Sequence, residues 1–131
     1  MKNLTLSTLK HRFAICQLNP DAGVPDWAIR GAFFSISRTP EELSIVCQED
    51  DVPLKVTSKR EWRGIKIEGP FDFNEVGILD AITSPIARAE ISLLTISTFD
   101  TDYVFIQDSQ FEEALFILAE SGHQIKSHAS G

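Results

Sequence analysis

Ile91-Ser92-Leu93-Leu94-Thr95-Ile96-Ser97-Thr98-Phe99-Asp100-Thr101-Asp102-Tyr103-Val104-Phe105-Ile106 is two apolar segments joined by a small polar turn that carries two carboxylates. Each flank is rich in β-branched and aromatic residues, which fit a pleated, half-buried surface. The stretch therefore reads as a β-hairpin with its turn near Thr98–Thr101. A helical pattern stands on either side of it, so the hairpin is the middle of a larger unit.

Upstream, Trp62–Glu68 alternates as a strand and Gly69-Pro70 ends it. Asp72 stands three residues before Glu75, the spacing at which each side chain can satisfy an orphan amide of a helix's first turn. Val76, Leu79, Ile82 and Ile86 follow at helical spacing. Pro85 lies inside that pattern, removes a backbone donor and is expected to kink or divide the helix near Ser84. The helix is expected to end around Ala89-Glu90. Downstream of the hairpin, Asp108 or Ser109 is expected to cap a second helix, with Glu112 three residues after Ser109. Phe111, Ala114, Leu115 and Leu118 form its apolar face, and Gly122 fits the position that stops it. Gln124–Lys126 reads as a short strand, and His128 to Gly131 as a frayed tail. The order over the second half is β-α-β-β-α-β, the split βαβ or ferredoxin-like arrangement of the α+β class.

The first half is more broken. Lys10–Leu18 alternates in part and reads as a strand, and Asn19-Pro20-Asp21-Ala22-Gly23 is a turn cluster. Pro25–Ile29 has room for one helical turn. Ala32–Ser37 and Leu43–Gln48 read as a hairpin through Thr39-Pro40-Glu41-Glu42, and Glu49-Asp50-Asp51-Val52-Pro53 as a charged turn. This gives β-(short turn)-β-β, a reduced copy of the second half by element order, although no strong sequence repeat relates the two. Two modules are therefore expected, 1–58 and 59–131.

Of 131 residues, 43% are hydrophobic and 24% charged, a mix that supports globular cores. No apolar run is long enough to span a bilayer, and the chain start lacks a basic segment followed by an apolar one, so a cytoplasmic protein is expected. Charge is uneven: 8 Lys+Arg face 7 Asp+Glu in residues 1–60, and 4 face 12 in residues 61–131. Without a basic stripe or an aromatic-basic sheet motif the chain is a poor nucleic-acid binder. Cys16 and Cys47 sit in apolar strand patterns and read as buried thiols rather than a disulfide. No Cys or His pair has zinc-ligand spacing, and no calcium loop is present. No phosphate-binding loop, dinucleotide fingerprint or nucleophile elbow occurs either, so no metal, cofactor or reaction centre is indicated.

The second half resembles the ACT domain family. The residues that carry the likeness are Phe73-Asn74-Glu75-Val76-Gly77-Ile78-Leu79, Ile82 and Pro85-Ile86-Ala87-Arg88-Ala89-Glu90-Ile91-Ser92. The Ser97–Tyr103 turn and Leu43–Cys47 followed by Glu49–Pro53 are similar to a paired-ACT subgroup that includes the animal cytosolic arginine sensor and small bacterial ACT proteins. The resemblance implies a regulatory module that binds an amino acid and performs no catalysis. Its implied site is the junction of first strand and first helix, here Asp72, Val76, Gly77 and Ile78, with the turn residues Thr98, Phe99 and Asp102. A helix start offers free amides to a carboxylate, and a glycine leaves its backbone approachable. An Asp can hold an ammonium or guanidinium group, and an aromatic ring can stack on a planar cation, which points to a basic amino acid. The sensor has more ACT modules than this chain can hold, so a sensor-like interface implies a homodimer, and a protein partner of unknown identity is implied. The alternative is an interaction or dimerisation module with a vestigial pocket.

Overall fold

The computed structural model of the chain describes residues 3–69 and 76–129. Seven strands and two helices follow in the order β1 (Thr5–Leu18), β2 (Ser35–Arg38), β3 (Leu43–Gln48), β4 (Ser58–Ile67), α1 (Ile78–Arg88), β5 (Leu94–Ser97), β6 (Asp102–Gln107), α2 (Asp108–Glu120) and β7 (Gln124–Ala129). Single 3-10 turns occupy Asp26–Ile29 and Glu49–Asp51.

The chain divides into two compact units. One holds the described residues up to Lys10 and from Arg63 onward, and the other is His11–Trp62. Strands β1 and β4 run through both. The expected division at 58 differs from this at the chain start, because the first half of β1 packs in the larger unit.

In the larger unit the strand order is β7-β1-β4-β6-β5. Read from β4, the element order is the ferredoxin-like β-α-β-β-α-β, with the start of β1 inserted between β4 and β7. That segment pairs with β7 in parallel, Thr5 opposite Gln124 and Leu6 opposite Ile125. The hairpin is antiparallel, Leu94 opposite Phe105 and Ser97 opposite Asp102. Ile78, Ala81, Ile82 and Ile86 of α1 and Phe111, Ala114 and Leu118 of α2 form one core with Leu4, Leu6, Ile65, Ile67, Val104 and Ile106. Of the expected stripes, Ile82, Ile86, Phe111, Ala114 and Leu118 are buried and Leu79 and Leu115 partly so, whereas Val76 precedes α1 and is exposed, its place in the core being taken by Ile78 and Ala81.

Three details differ from expectation. Helix α1 begins later than the Asp72–Glu75 pair implied: its N-cap is Gly77, and Asp72 and Glu75 lie outside the described residues. Pro85 is accommodated inside an unbroken α1. At α2 the N-cap is Gln107 with no side-chain cap, because the Asp108 carboxylate is engaged by Arg63 at 3.1 Å. Arg63 also lies 4.5 Å over the Phe111 ring, a cation–π contact on the same helix. The end of α2 follows the expected signal. Gly122 has φ 100, its amide reaches Ala119 at 3.0 Å, and the His123 amide reaches Leu118 at 3.2 Å. These are the two bonds of a Schellman stop. Strand β7 then continues to Ala129, beyond its expected end at Lys126.

The smaller unit has strand order β2-β3-β1-β4, and its two 3-10 turns take the places of helices. The expected hairpin is present as β2 and β3, Ser37 opposite Ser44. Its core is Ala14, Cys16, Ala28, Leu43, Ile45, Cys47 and Val52. Cys16 and Cys47 are buried free thiols on the neighbouring strands β1 and β3.

Candidate functional site

In the larger unit, β4 ends at Ile67 and the chain returns as α1. Gly77 at the helix start has φ 82 and ψ 1, a left-handed conformation that glycine adopts without penalty. Among the described residues a Cβ there would meet nothing within 4 Å, so the glycine answers to backbone conformation. Gly77 as N-cap has no side chain to offer the helix start, and the first helical bond is Ala81 N–H to Gly77 O at 3.0 Å. The first-turn amides carry the partial positive charge of a helix start. Asp80 accepts from the Ser84 hydroxyl at 2.6 Å, within the helix itself.

The β5–β6 turn stands against the end of β4. The Thr101 hydroxyl is buried and donates to the carbonyl of Ile67, which fastens the turn to the strand that leads towards α1. Within the turn, Thr98 N–H donates to Thr101 O at 2.8 Å. The Thr98 hydroxyl donates to the same oxygen at 3.2 Å and accepts from Thr101 N–H at 3.3 Å. The Ser97 hydroxyl donates to Asp102 Oδ1. Beside the same strand end, Glu68 accepts from the Ser7 hydroxyl and lies 3.9 Å from Lys66 Nζ, while its amide donates to Thr5 O at 2.9 Å.

Thr98, Phe99 and Asp102 thus share one turn, and that turn is anchored at the strand end preceding Gly77. Val76 and Phe99 are 81% and 75% exposed. Ile78 is in the core, so only its backbone faces the helix start. The Thr98 hydroxyl and one oxygen of Asp102 are engaged locally, as turn residues often are. Asp72 lies outside the described residues. Thr101 had no sequence signal, since nothing distinguishes a buried turn hydroxyl from its exposed neighbours before the partner strand is known. The arrangement offers backbone donors, a carboxylate and an exposed ring, the equipment of a binding site. Among the described residues no three His, Cys, Asp or Glu side chains gather where a metal could sit. No described helix is long and apolar enough to cross a membrane.

Residues 57–120 match the family model described as an ACT domain, and residues 11–55 match a model described as an N-terminal domain. The cytosolic arginine sensor for mTORC1 subunit 1 of Bos taurus is 33% identical over 95 residues, 66% of this chain and 29% of the sensor. The chain thus corresponds to less than a third of that relative's length. An Agobacterium tumefaciens protein of known crystal structure is 34% identical with a TM-score of 0.92, each chain being covered in full. The regulatory subunit of aspartate kinase from Thermus flavus shares the fold at 11% identity, with a TM-score of 0.63 over 92% of this chain and 99% of that one. With its ferredoxin-like larger unit, its matching model and these relatives, the chain belongs to the ACT domain family.

Proposed function

We propose that the protein is a regulatory amino-acid-binding protein without catalysis of its own, and that the larger unit holds the ligand at the β4–α1 junction. The observation that carries this reading is the Thr101–Ile67 hydrogen bond, which sets the Thr98–Asp102 turn beside the strand end that leads to the α1 helix start at Gly77. The first-turn amides of α1 receive the ligand's carboxylate. Asp102 and the Phe99 ring receive a cationic group, which favours a basic amino acid. The arginine-sensor relatives support the same class of ligand. Binding shifts an equilibrium between arrangements by the ligand's differential affinity for them. We further propose that 11–62 is a reduced ACT-like module, since its β-turn-β-β-turn-β order and strand order parallel those of the larger unit. Free buried thiols fit a reducing, cytoplasmic setting.

A thermal-shift screen over the twenty amino acids at millimolar concentration tests the proposal. Stabilisation by one or a few, weakened in Asp102→Ala and Phe99→Ala, supports it, and no shift from any of them with folded protein overturns it. The second reading, an interaction module with a vestigial pocket, draws on the exposure of Val76 and Phe99 and on Phe116 of α2, which is 67% exposed. Sedimentation separates the two. Dimerisation that is independent of amino acids and lost in Phe99→Ala or Phe116→Ala belongs to the second reading.

A further inference from the structure

The smaller unit carries a groove of about 330 Å³ that holds none of the candidate-site residues. It crosses β3, β1 and β4 and is lined by Ile15, Gln17, Glu42, Ser44, Ser58 and Lys59, among others. Along β1, Ile15 and Gln17 alternate with the core residues Ala14 and Cys16, so the groove opens on the sheet face away from that core. Its floor is fixed by main-chain pairing: Gln17 stands opposite Ser44, and its amide donates to Thr57 O at 3.0 Å.

Two opposite charges flank this floor. Glu42 is half-buried and its backbone is pinned by Thr39. The Thr39 amide donates to Glu42 O at 2.9 Å, and the Thr39 hydroxyl accepts from Glu42 N–H at 3.2 Å. Among the described residues its carboxylate receives only a long bond from Gln17 Nε2, 3.4 Å. Lys59 is exposed at the opposite strand. Among the described residues neither Glu42 nor Lys59 forms an ion pair, with each other or with a third group. A groove that holds one anion and one cation without joining them is complementary to a molecule bearing both charges. Its volume lies at the lower end of the range for small-molecule sites.

We propose that this groove binds a small zwitterion, its ammonium at Glu42 and its carboxylate at Lys59, with Ser44, Ser58 and Gln17 supplying further hydrogen bonds. The site is separate from the β4–α1 junction and stands whether or not that junction binds an amino acid.

The experiment is an amide-resolved NMR titration of the full chain with glycine, β-alanine, 4-aminobutyrate and 6-aminohexanoate, beside acetate and ethylamine as singly charged controls. Saturable shifts are expected at Gln17, Ser44, Ser58 and Lys59 with at least one zwitterion and not with the controls. Glu42→Gln and Lys59→Met are each expected to weaken binding about tenfold, the loss of one charge-assisted contact. Both are surface changes, and an otherwise unchanged spectrum shows that the variant is folded. The proposal is overturned if no zwitterion shifts these amides, if acetate or ethylamine binds as well, or if either variant binds as the parent does. Shifts at Gly77, Ile78 and Thr98 report separately on the other site, so the two readings fail independently.

Discussion

His123 Nε2 lies 3.0 Å from the carbonyl oxygen of Ala81, the oxygen that Pro85, four residues on, cannot bond because it has no amide hydrogen. The imidazole supplies the donor that the proline withholds. Its other nitrogen, Nδ1, accepts from Leu4 N–H at 3.0 Å, so both ring positions are used and the Nε2–H tautomer is the one that serves both. This is how α1 continues unbroken through a buried proline.

His123→Ala leaves a buried amide and a buried carbonyl without partners, and at roughly 1–3 kcal/mol for each group the expected loss is about 3 kcal/mol of unfolding free energy. Urea denaturation measures it. In a Pro85→Ala background the Ala81 carbonyl regains a backbone donor, so the same change is expected to cost about 1 kcal/mol less. Equal costs in the two backgrounds would separate the histidine from the proline.

Thr101→Val removes the hydroxyl that holds the turn to Ile67 while keeping the side chain's shape. The expected cost is about 1–3 kcal/mol from the unsatisfied carbonyl. On the proposed function, affinity for the amino acid found in the screen also falls. Calorimetric titration of a variant that is folded but loosened at this turn would expose the proposal if its Kd matched the parent's.

Gly64 lies where a Cβ would come 2.6 Å from Leu9 Cδ1 and 2.9 Å from Phe105 Cε2. Gly64→Ala is expected to cost about 1–3 kcal/mol through overpacking. Leu9→Ala in the same chain should lower the penalty of the added methyl, which a double-mutant cycle reads directly.

Glu90 occupies the stop of α1 with φ 60, and the amides of Glu90 and Ile91 return to Ala87 and Ile86 at 2.9 and 3.2 Å. This is the same stop that Gly122 provides for α2, made with a residue that carries a Cβ. Glu90→Gly is expected to raise stability by up to about 1 kcal/mol, seen as a higher denaturation midpoint at unchanged slope.

The hydrogen bond with Cys16, and then burial, push the Cys47 thiol well above its ordinary value of 9.0. The same bond draws the Cys16 thiol down, so the pair gives up its first proton early but, above pH 9, keeps one that the unfolded chain has released. This contribution is fully present below about pH 9 and declines as the pH rises beyond it. Above pH 9 the parent should lose stability more steeply than Cys47→Ala, and at pH 8 the thiol should react with an aromatic disulfide reagent only as fast as the chain unfolds.

What could be read from the residues was local. The hairpin, the apolar stripes of both helices and the glycine stop at Gly122 are set by neighbours a few positions apart. The first half of β1 was not legible, because Thr5–Lys10 is a strand by virtue of β7, more than a hundred residues later. The expected cap of α2 failed for a related reason: Asp108 has the right chemistry for a cap but is drawn to Arg63, 45 residues away. The expected break at Pro85 did not occur because the remedy is on another element. At the candidate site the turn residues were visible as a group, whereas the anchor Thr101 and the engagement of the Thr98 hydroxyl depend on three-dimensional partners.

The insertion of the chain's opening strand between β4 and β7 has a consequence for biogenesis. Leu4 and His123 are 119 positions apart, and a ribosome that has released the first must add all of these before the second emerges. The larger unit therefore closes its sheet only after translation has passed β7, and pairing of such high contact order is slow. A fragment beginning at Arg63 would lack an interior strand of its own sheet, so the unit that looks self-sufficient from β4 onward depends on Thr5–Lys10, synthesised well before it.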